Sequence, residues 1–503
     1  MVRDADTESS REFQRGAVTV CVMLATIMQA LDTTIANIAL PHIQANLSAT
    51  QDEAAWVLTS YIVAAAVMFP LTGWLANRYG RRPVFLISIL LFIAASALCG
   101  AAANLDQLVA FRMFQGVGGA ALVPLSQAIL FEINEPKDYG RAMSLWGMAA
   151  TMPPAVGPTL GGWLTDNYSW RWVFYINLPI GLLAFAGLLM TLPRDRPATA
   201  RRFDLMGFVA LSVAVASFQL MLDRGQLLDW FSSREIIAEA VIAGTAFYIF
   251  LTHILSSPHP FVTPAMFKDR NFVGAIVFLF LFGVVLFATL ALLPPLLQTR
   301  FNYPVITAGL VLAPRGLGMI LGMFIVGRLV PRYDARVVMG IGMVLSVYSL
   351  WQMTQYSLQM DSWPVMTAGF TQGIGVGTVN VCLSVLGFVT LDPKYRNEAT
   401  ALSNLIRSTG GAIGISVMIF LITQNTQRLH TALGANITAY NMHGNMAAMS
   451  DHVGTHSTQS LMMLDRLVTG QGQMMAYIDD FRLMMILTLL TFPFILIFRR
   501  SKP

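Results

Sequence analysis

The sequence predicts an all-α membrane protein of fourteen transmembrane helices, arranged as two six-helix halves with a pair of helices inserted between them. Of its 503 residues, 55% are hydrophobic and 12% are charged, which is too apolar for an ordinary water-soluble domain. The apolar residues fall into segments of about 20, the length that crosses a bilayer as a helix. The chain also resembles itself at a spacing of about 254 residues, as expected of a protein made of two similar halves.

Fourteen segments meet the length criterion for a membrane span. They are predicted at about residues 17–38, 55–76, 84–103, 107–130, 142–164, 172–192, 204–222, 236–255, 272–297, 305–330, 337–356, 364–391, 399–424 and 482–498. The predicted organisation is a tail (1–16), an N-terminal half (17–192), an inserted helix pair with its linkers (193–271), a C-terminal half (272–498) and a second tail (499–503). The C-terminal half includes one long polar segment, 425–481.

Lysine and arginine are distributed unequally between the two sets of connecting segments. The set that contains both tails and the loop 77–83 holds 22 of the 32 basic residues, the opposite set holds seven, and three lie within spans. An excess of basic residues marks the cytoplasmic loops of membrane proteins. We therefore expect both termini in the cytoplasm and segment 425–481 on the outer side. The net charge of +5 then reflects topology, and no nucleic-acid partner is predicted.

The two predicted halves share residues at equivalent places. Gly73, Leu75, Arg78, Tyr79 and Arg82 correspond to Gly327, Leu329, Arg332, Tyr333 and Arg336, and Gln115 and Gly116 correspond to Gln372 and Gly373. The charges are not repeated, because Gly369 stands at the position that matches Arg112. Ionic chemistry is therefore expected in the N-terminal half.

Two charged residues lie inside predicted spans of that half. Arg112 is in QLVAFRMFQGVGG (107–119), and Asp32, in LDTTIANIALP (31–41), is the sole carboxylate between Glu12 and Asp52. A cation inside a membrane helix costs about 2.5–3.5 kcal/mol on insertion scales and usually has a partner. We expect the two side chains to pair and Asp32 to take up and release a proton. The alternatives are a solvated Asp32 near the end of its span and an Arg112 that binds helix-end carbonyls.

Further polar residues inside spans are candidates for lining a substrate cavity. They are Gln29, Asn37, Gln115, Gln127, Arg315, Asn380 and Arg407. Contacts between helices are an equally good interpretation of the amides, and Arg315 and Arg407 are as compatible with packing or gating as with substrate binding. The glycine-rich stretches lack the GK[ST] ending of a phosphate loop, so they indicate close helix packing.

Other classes of function lack the motifs that they require. No Walker motif, HExxH pair or GxSxG with a nearby histidine and acid is present, so neither an ATP-driven pump nor a membrane-embedded hydrolase is predicted. The three cysteines lie in apolar runs without metal-binding spacing. We expect no metal and no cofactor, with energy taken from a proton gradient.

Several stretches resemble motifs of the major facilitator superfamily. GWLANRYGRR (73–82) resembles its loop signature, RMFQGVGGA (112–120) its motif in span four, and GPTLGG (157–162) the antiporter motif of its exporters. LDTTIANIALP, WRWVFYINLPIG (170–181) and the count of fourteen spans narrow the resemblance to the EmrB/QacA-type drug:proton antiporters. The long outer segment, 425–481, is similar to that of the EmrB-like branch.

This resemblance implies a transporter that works by alternating access and exports hydrophobic, cationic or amphiphilic compounds in exchange for protons. It also implies the bacterial inner membrane, an EmrA-like periplasmic adaptor docked on 425–481, and a TolC-like outer-membrane channel. Its gating residues would be Gly73, Asn77, Arg78, Gly80, Arg81 and Arg82, and its antiporter motif Gly157, Pro158, Gly161 and Gly162. A dedicated exporter of one metabolite, fatty acid or siderophore remains an alternative.

The loop 77–82 departs from the family pattern at one position. Asn77 stands where the family usually has aspartate. An amide carries no charge, so the departure predicts a weaker charge relay between the two halves at this loop.

Overall fold

The computed structural model describes residues 2–193, 202–435 and 458–499. Within these ranges the chain is helical apart from short turns and connections and contains no β-strand. Fourteen helices in the described part occupy the positions of the fourteen predicted spans, and thirteen of them are long and apolar enough to cross a membrane. The predicted fold class, an all-α membrane protein, is confirmed.

Six helices form the N-terminal half. They are α1 (Val2–Asn46), α2 (Gln51–Tyr79), α3 (Arg81–Ala101), α4 (Leu105–Ile133), α5 (Tyr139–Asn167) and α6 (Trp172–Thr191). Within them, α1 packs on α5 and α6, and α4 packs on α2 and α3. Gly80 joins α2 to α3 with a φ of 91°, a backbone conformation that glycine adopts without the steric penalty of a side chain.

The remaining eight helices follow in chain order. The inserted pair is α7 (Leu205–Arg224) and α8 (Arg234–Ser256), and the C-terminal half contains α9 (Arg270–Arg300), α10 (Val305–Leu329), α11 (Ala335–Met353), α12 (Trp363–Phe388), α13 (Arg396–Ala435) and α14 (Thr458–Thr491). The helices α13 and α14 have 40 and 34 residues, more than a bilayer requires.

The long outer segment predicted at 425–481 is largely helix where the structure describes it. Its first part belongs to α13 and its last part to α14, and these two helices pack on each other. His430 Nε2 lies 2.9 Å from Asp465 Oδ1 across this contact. Residues 436–457 of the segment lie outside the described residues.

The inserted pair contacts both halves. Helix α7 packs on α2 of the N-terminal half and on α13 of the C-terminal half. The Thr59 hydroxyl of α2 donates a hydrogen bond to the Asp223 carboxylate of α7, and Ser416 Oγ of α13 donates to the Leu222 carbonyl at 2.9 Å. The pair therefore joins α2 and α13 along one edge of the bundle.

Glycine permits the same close helix contact in both halves. A Cβ at Gly116 would lie 2.5 Å from the Tyr61 carbonyl oxygen, and a Cβ at Gly373 would lie 2.1 Å from the Arg315 carbonyl oxygen. Both separations are too short for a real side chain. Because Gly116 and Gly373 are equivalent in the repeat, these contacts make Tyr61 and Arg315 equivalent as well. Helix α4 thus packs on α2 as α12 packs on α10.

Candidate functional site

Asp32 is fully buried in α1, with 0% of its surface exposed. Its Oδ2 accepts a hydrogen bond from Arg112 Nη1 of α4 at 2.7 Å. Its Oδ1 accepts from Gln115 Nε2 and from Asn177 Nδ2 of α6, each at 2.8 Å. This burial does not fit the alternative of a solvated carboxylate, and the expected Asp32–Arg112 contact is present.

Arg112 is 1% exposed, and both its Nε and its Nη1 atoms have hydrogen-bond partners. Besides Asp32, it donates from Nε to the Val57 carbonyl at 3.0 Å and from Nη1 to Gln115 Oε1 at 2.8 Å. Its guanidinium carbon lies 4.4 Å from the centre of the Tyr61 ring, a cation–π geometry. A buried ion pair needs such additional bonds to offset the loss of water. We call Asp32, Arg112, Gln115, Asn177 and Tyr61 the Asp32 cluster.

The Asp32 cluster links three helices through one carboxylate. Hydrogen bonds to an ionised carboxylate are shorter and stronger than those between neutral groups. Protonation of Asp32 would remove that charge and weaken its bonds to α4 and α6 together. The arrangement can therefore couple the gain or loss of one proton to contacts between helices.

Asn177 belongs to this cluster although sequence reasoning did not select it. Its amide nitrogen donates to Asp32 and also to Ser96 Oγ of α3 at 3.0 Å. The available signal was a lone amide side chain inside the apolar run WVFYINLPIG (172–181). That signal says nothing about which helix faces Asn177, so the packing of α6 on α1 was needed to assign it.

The antiporter motif lies against α1 immediately after Asp32. A Cβ at Gly157 would be 2.8 Å from Thr34 Cγ2, and a Cβ at Gly161 would be 2.9 Å from Ile35 Cγ2. Gly162 faces open space, and the side chain of Pro158 lies outside the described set. Two of the motif's glycines therefore hold α5 close to the segment that carries the buried carboxylate.

The gating motif closes one end of the bundle, which we call the loop end because it contains loop 77–82. A Cβ at Gly73 of α2 would lie 2.9 Å from Glu398 Cα of α13, so the two halves meet there at backbone distance. Asn77 Nδ2 donates to Glu398 Oε1 at 3.3 Å, and Asn77 Oδ1 accepts from Asn397 Nδ2 at 2.6 Å. An aspartate could not donate to Glu398, so Asn77 makes a contact that the family's usual residue cannot make.

The three arginines of the loop have different surroundings. Arg81 forms an ion pair with Glu132 and donates from Nε to Asn397 Oδ1 of the other half at 2.8 Å. Arg82 donates to a backbone carbonyl of α6 at 2.6 Å, within its own half. Arg78 is exposed. Among the contacts of the described residues, Arg81 is the arginine of this loop that bonds to the other half.

Helices α5 and α10 add a second contact between the halves at the loop end. A Cβ at Gly140 would lie 3.0 Å from the Val330 side chain, and a Cβ at Gly327 would lie 2.3 Å from Ser144 Oγ. These positions are near the start of α5 and the end of α10. The two halves are therefore joined on both sides of the loop end.

Of the five amides predicted to line a cavity, three form side-chain hydrogen bonds, one is buried and one is exposed. Gln29 Nε2 donates to the Tyr61 hydroxyl at 3.0 Å, Gln115 belongs to the Asp32 cluster, and Gln127 accepts from Asn404 of the other half at 3.1 Å. Asn380 is buried in α12 and Asn37 is exposed. Asn37 is therefore the amide of this set best placed to meet a solute.

Arg315 and Arg407 are cations of the C-terminal half at mid-helix. Arg315 of α10 is 4% exposed, and its Nη2 lies 3.5 Å from the Leu286 carbonyl oxygen. Arg407 of α13 donates from Nη2 to Asn404 Oδ1 at 2.8 Å. Among the described residues neither arginine forms an ion pair, unlike Arg112 in the other half.

Comparisons with known proteins identify the family of this chain. The family model of the Major Facilitator Superfamily matches residues 22–415. The chain is 35% identical over 462 residues to the multidrug export protein EmrB of Escherichia coli K12 and 36% identical over 458 residues to the fatty acid resistance protein FarB of Neisseria gonorrhoeae. Each alignment covers 90% of both chains.

A solved structure shares the fold at low sequence identity. The human organic anion transporter MFSD10 superposes with a TM-score of 0.59 at 16% identity, covering 94% of this chain and 99% of that one. Together, the matched family model, the nearly full-length relatives and the two six-helix halves establish that this chain is a multi-pass membrane protein of the major facilitator superfamily, in its EmrB-like branch.

Proposed function

We propose that this protein exports hydrophobic and amphiphilic compounds across the bacterial inner membrane in exchange for protons, as an antiporter without an enzymatic step. The relatives support the efflux part, because the E. coli K12 protein is named for multidrug export and aligns over 90% of this chain. Proton coupling is supported by the Asp32 cluster. Asp32 is buried at 0% exposure, and a carboxylate can change its charge only by exchanging a proton.

The Asp32 cluster is the observation that carries the proposal. In the state described here Asp32 is engaged by Arg112, Gln115 and Asn177, and the loop end is closed by contacts between α2 and α13. If the loop end faces the cytoplasm, as the distribution of basic residues predicts, this state is closed toward the cytoplasm. Protonation of Asp32 from outside would loosen α4 and α6 from α1 and allow the halves to rock back after the substrate has left on that side.

Replacement of Asp32 by asparagine tests the proposal. Asp32→Asn keeps the shape of the side chain and cannot cycle a proton, so we expect folded protein that no longer exports a dye against its gradient when a pH difference is imposed on proteoliposomes. The matched control is Glu239→Gln, an acid in α8 outside both halves, which should transport normally. Undiminished, pH-driven export by Asp32→Asn would contradict the proposal.

A dedicated exporter of fatty acids is a second candidate. The observation that favours it is the 36% identity to FarB, a protein named for fatty acid resistance. The same proteoliposomes distinguish the two candidates when loaded in turn with a panel of dyes and with medium-chain fatty acids. Export of fatty acids alone would favour the dedicated transporter.

We also propose that 425–481 docks a periplasmic adaptor of the EmrA type, which leads to a TolC-like outer-membrane channel. The support is the length of α13 and α14, whose outer ends pack on each other and present a helical surface beyond the bilayer. Replacing 430–475 by a short linker removes the ends of α13 and α14 that lie outside their predicted spans, together with the His430–Asp465 contact between them. We expect normal transport in proteoliposomes and loss of adaptor co-purification. Retained co-purification would place the docking surface elsewhere.

A further inference from the structure

Three buried polar side chains of the C-terminal half have atoms without hydrogen-bond partners. Arg315, Tyr356 and Gln372 are 4%, 3% and 1% exposed. Arg315 Nε, the Tyr356 hydroxyl and Gln372 Oε1 are each buried and unpartnered in the structure. We call these residues, with Thr289, the Arg315 pocket. Buried polar groups of native proteins are nearly always hydrogen-bonded, so these three atoms each lack a partner that burial would normally require.

The side chain of Arg315 connects the helices of this pocket. Its Cβ lies 3.5 Å from the position that a Cβ on Gly369 of α12 would occupy, and its Nη2 lies 3.5 Å from the Leu286 carbonyl of α9. Gln372 is one turn after Gly369, and its Nε2 lies 3.5 Å from Thr289 Oγ1 of α9. Tyr356 belongs to the same buried cluster as Val311 of α10, which lies one turn before Arg315.

No acid of the described residues forms an ion pair with Arg315. Helices α9, α10, α11 and α12 have no aspartate or glutamate in their sequences. Arg407 adds a second cation nearby, since its backbone carbonyl packs against Gly283 of α9, one turn before Leu286. Among the described residues Arg315 therefore has no counter-ion, whereas Asp32 balances Arg112 in the other half. A buried acid of the C-terminal half, Asp480, is 1% exposed and belongs to α14.

The repeat identifies what the Arg315 pocket lacks. At the spacing that aligns Gln115 with Gln372, Asp32 aligns with Thr289 and Arg112 with Gly369. Gln115 Nε2 lies 2.8 Å from the Asp32 carboxylate, and Gln372 Nε2 lies 3.5 Å from the Thr289 hydroxyl at the equivalent place. The C-terminal pocket thus has a cation and an amide in position, and a hydroxyl where its counterpart has the anion.

We propose that Arg315 binds the anionic head group of an exported amphiphile, a carboxylate or another oxyanion, in the place that Asp32 occupies in the N-terminal half. An ionisable residue inside the membrane is costly to bury and marks a functional site, and guanidinium and carboxylate form strong charge-assisted hydrogen bonds. The Tyr356 hydroxyl can donate a further bond to the same anion. The inference rests on the proposed export function and specifies its substrate class.

An apolar pocket adjoins this anion site. Leu286 and Gln372 line it together with Phe282, Val285, Met343 and Val376. Leu286 supplies the carbonyl beside Arg315, and Gln372 belongs to the Arg315 pocket itself, so the two regions share residues. A ligand with an anionic head and an alkyl tail matches this combination. A permanent cation would meet Arg315 and Arg407 without a compensating acid.

The test compares two twelve-carbon probes that differ in the charge of the head group. Radiolabelled dodecanoate and dodecyltrimethylammonium are titrated onto the protein in phosphatidylcholine nanodiscs, and the signal of empty nanodiscs is subtracted. For Arg315→Gln we expect about tenfold weaker binding of dodecanoate, the loss of one charge-assisted contact of roughly 1.4 kcal/mol, with ammonium binding unchanged or stronger. Arg315→Lys should retain more binding than Arg315→Gln.

Controls separate a binding role from a structural one. Arg328→Gln removes an exposed arginine of the same helix and should bind both probes as the native protein does. Tyr356→Phe should weaken dodecanoate alone. Equal dodecanoate binding by the native protein and Arg315→Gln would overturn the proposal, as would a parallel loss of both probes.

Two further measurements identify the source of the anion. If phosphatidylglycerol in the nanodisc displaces dodecanoate and dodecanoate is not exported by proteoliposomes that export a neutral dye, the site belongs to a resident lipid and the proposal is overturned. Binding in nanodiscs requires no pH gradient. Failure of Asp32→Asn to abolish export would therefore refute proton coupling while Arg315-dependent binding still stood.

Discussion

The two halves of the bundle contain equivalent polar pockets that differ in whether their charge is balanced. In the N-terminal half, Arg112 on α4 is paired with Asp32, and Tyr61 on α2 stacks on the guanidinium. In the C-terminal half the cation, Arg315, stands on α10 at the place of Tyr61, and Gly369 stands at the place of Arg112. The close glycine contacts, at Gly116 and Gly373, are the same in both.

The two halves share their close glycine contacts and differ in where their charged residues stand. Helix packing constrains glycine positions strictly, because a side chain there would overlap the neighbouring backbone. A charged residue between the helices can stand on a different helix in each half, provided that its charge is balanced or binds a ligand. On the two proposals above, the N-terminal half is suited to a proton and the C-terminal half to an anion.

The largest expected effect comes from breaking the balanced pair. Arg112→Ala leaves Asp32 buried without its cation, which typically costs about 3–5 kcal/mol, and we expect a large fall in the thermal unfolding temperature in detergent. Arg112→Lys should be milder, since it keeps the charge but loses the bond from Nε to Val57. Arg315→Gln should leave the unfolding temperature unchanged or raise it, because Arg315 has no counter-ion to lose among the described residues.

A double variant tests the difference between the balanced pocket and the unbalanced one. Asp32→Asn combined with Arg112→Gln removes both charges and should recover most of the stability lost in Arg112→Ala, while proton-coupled export stays absent. Equal destabilisation by Arg112→Ala and Arg315→Gln would remove the distinction between a balanced and an unbalanced pocket.

A smaller effect tests the shared packing with two glycines one turn apart in α12. A Cβ at Gly373 would lie 2.1 Å from a backbone oxygen, whereas one at Gly369 would have its nearest neighbour at 3.5 Å. Gly373→Ala should therefore destabilise the protein by roughly 1–3 kcal/mol, and Gly369→Ala should be close to neutral. Thermal unfolding of both variants, with Gly116→Ala as the N-terminal counterpart of Gly373→Ala, measures this directly. Similar values for Gly369→Ala and Gly373→Ala would contradict the packing argument.

The smallest effect concerns the loop end, where the halves meet. Asn77→Asp restores the residue that the family usually has, yet it places a second carboxylate beside Glu398 and loses one hydrogen bond, a change of roughly 0.5–1.5 kcal/mol. We expect a larger fraction of molecules with an open loop end. Distances between spin labels on Tyr79→Cys and Lys394→Cys, one in each half, would report it.

A second substitution checks the cause of that opening. Glu398→Gln in the Asn77→Asp background removes the facing carboxylate and should restore the short distance. If Asn77→Asp alone closes the loop end more tightly, the Asn77–Glu398 contact does not act as described.

The fold class, the fourteen spans and the resemblance to the family could all be inferred from the sequence alone. These follow from local properties: the length of apolar segments, the placement of basic residues between them and short motifs read along one stretch of chain. The sequence also identified Asp32 and Arg112 as the unusual residues of the N-terminal half, because a charge within an apolar segment stands out without any knowledge of its neighbours.

The tertiary structure decided which polar groups meet and which do not. Asn177 donates a hydrogen bond to Asp32, 145 positions away in the sequence. Gln127 accepts one from the opposite half. Asn77 contacts Glu398, which the motif alone does not predict. Arg315 and Arg407 were indistinguishable along the chain from packing or gating residues. Their lack of a counter-ion depends on which helices surround them, and that neighbourhood is fixed by the close packing of helices far apart in sequence.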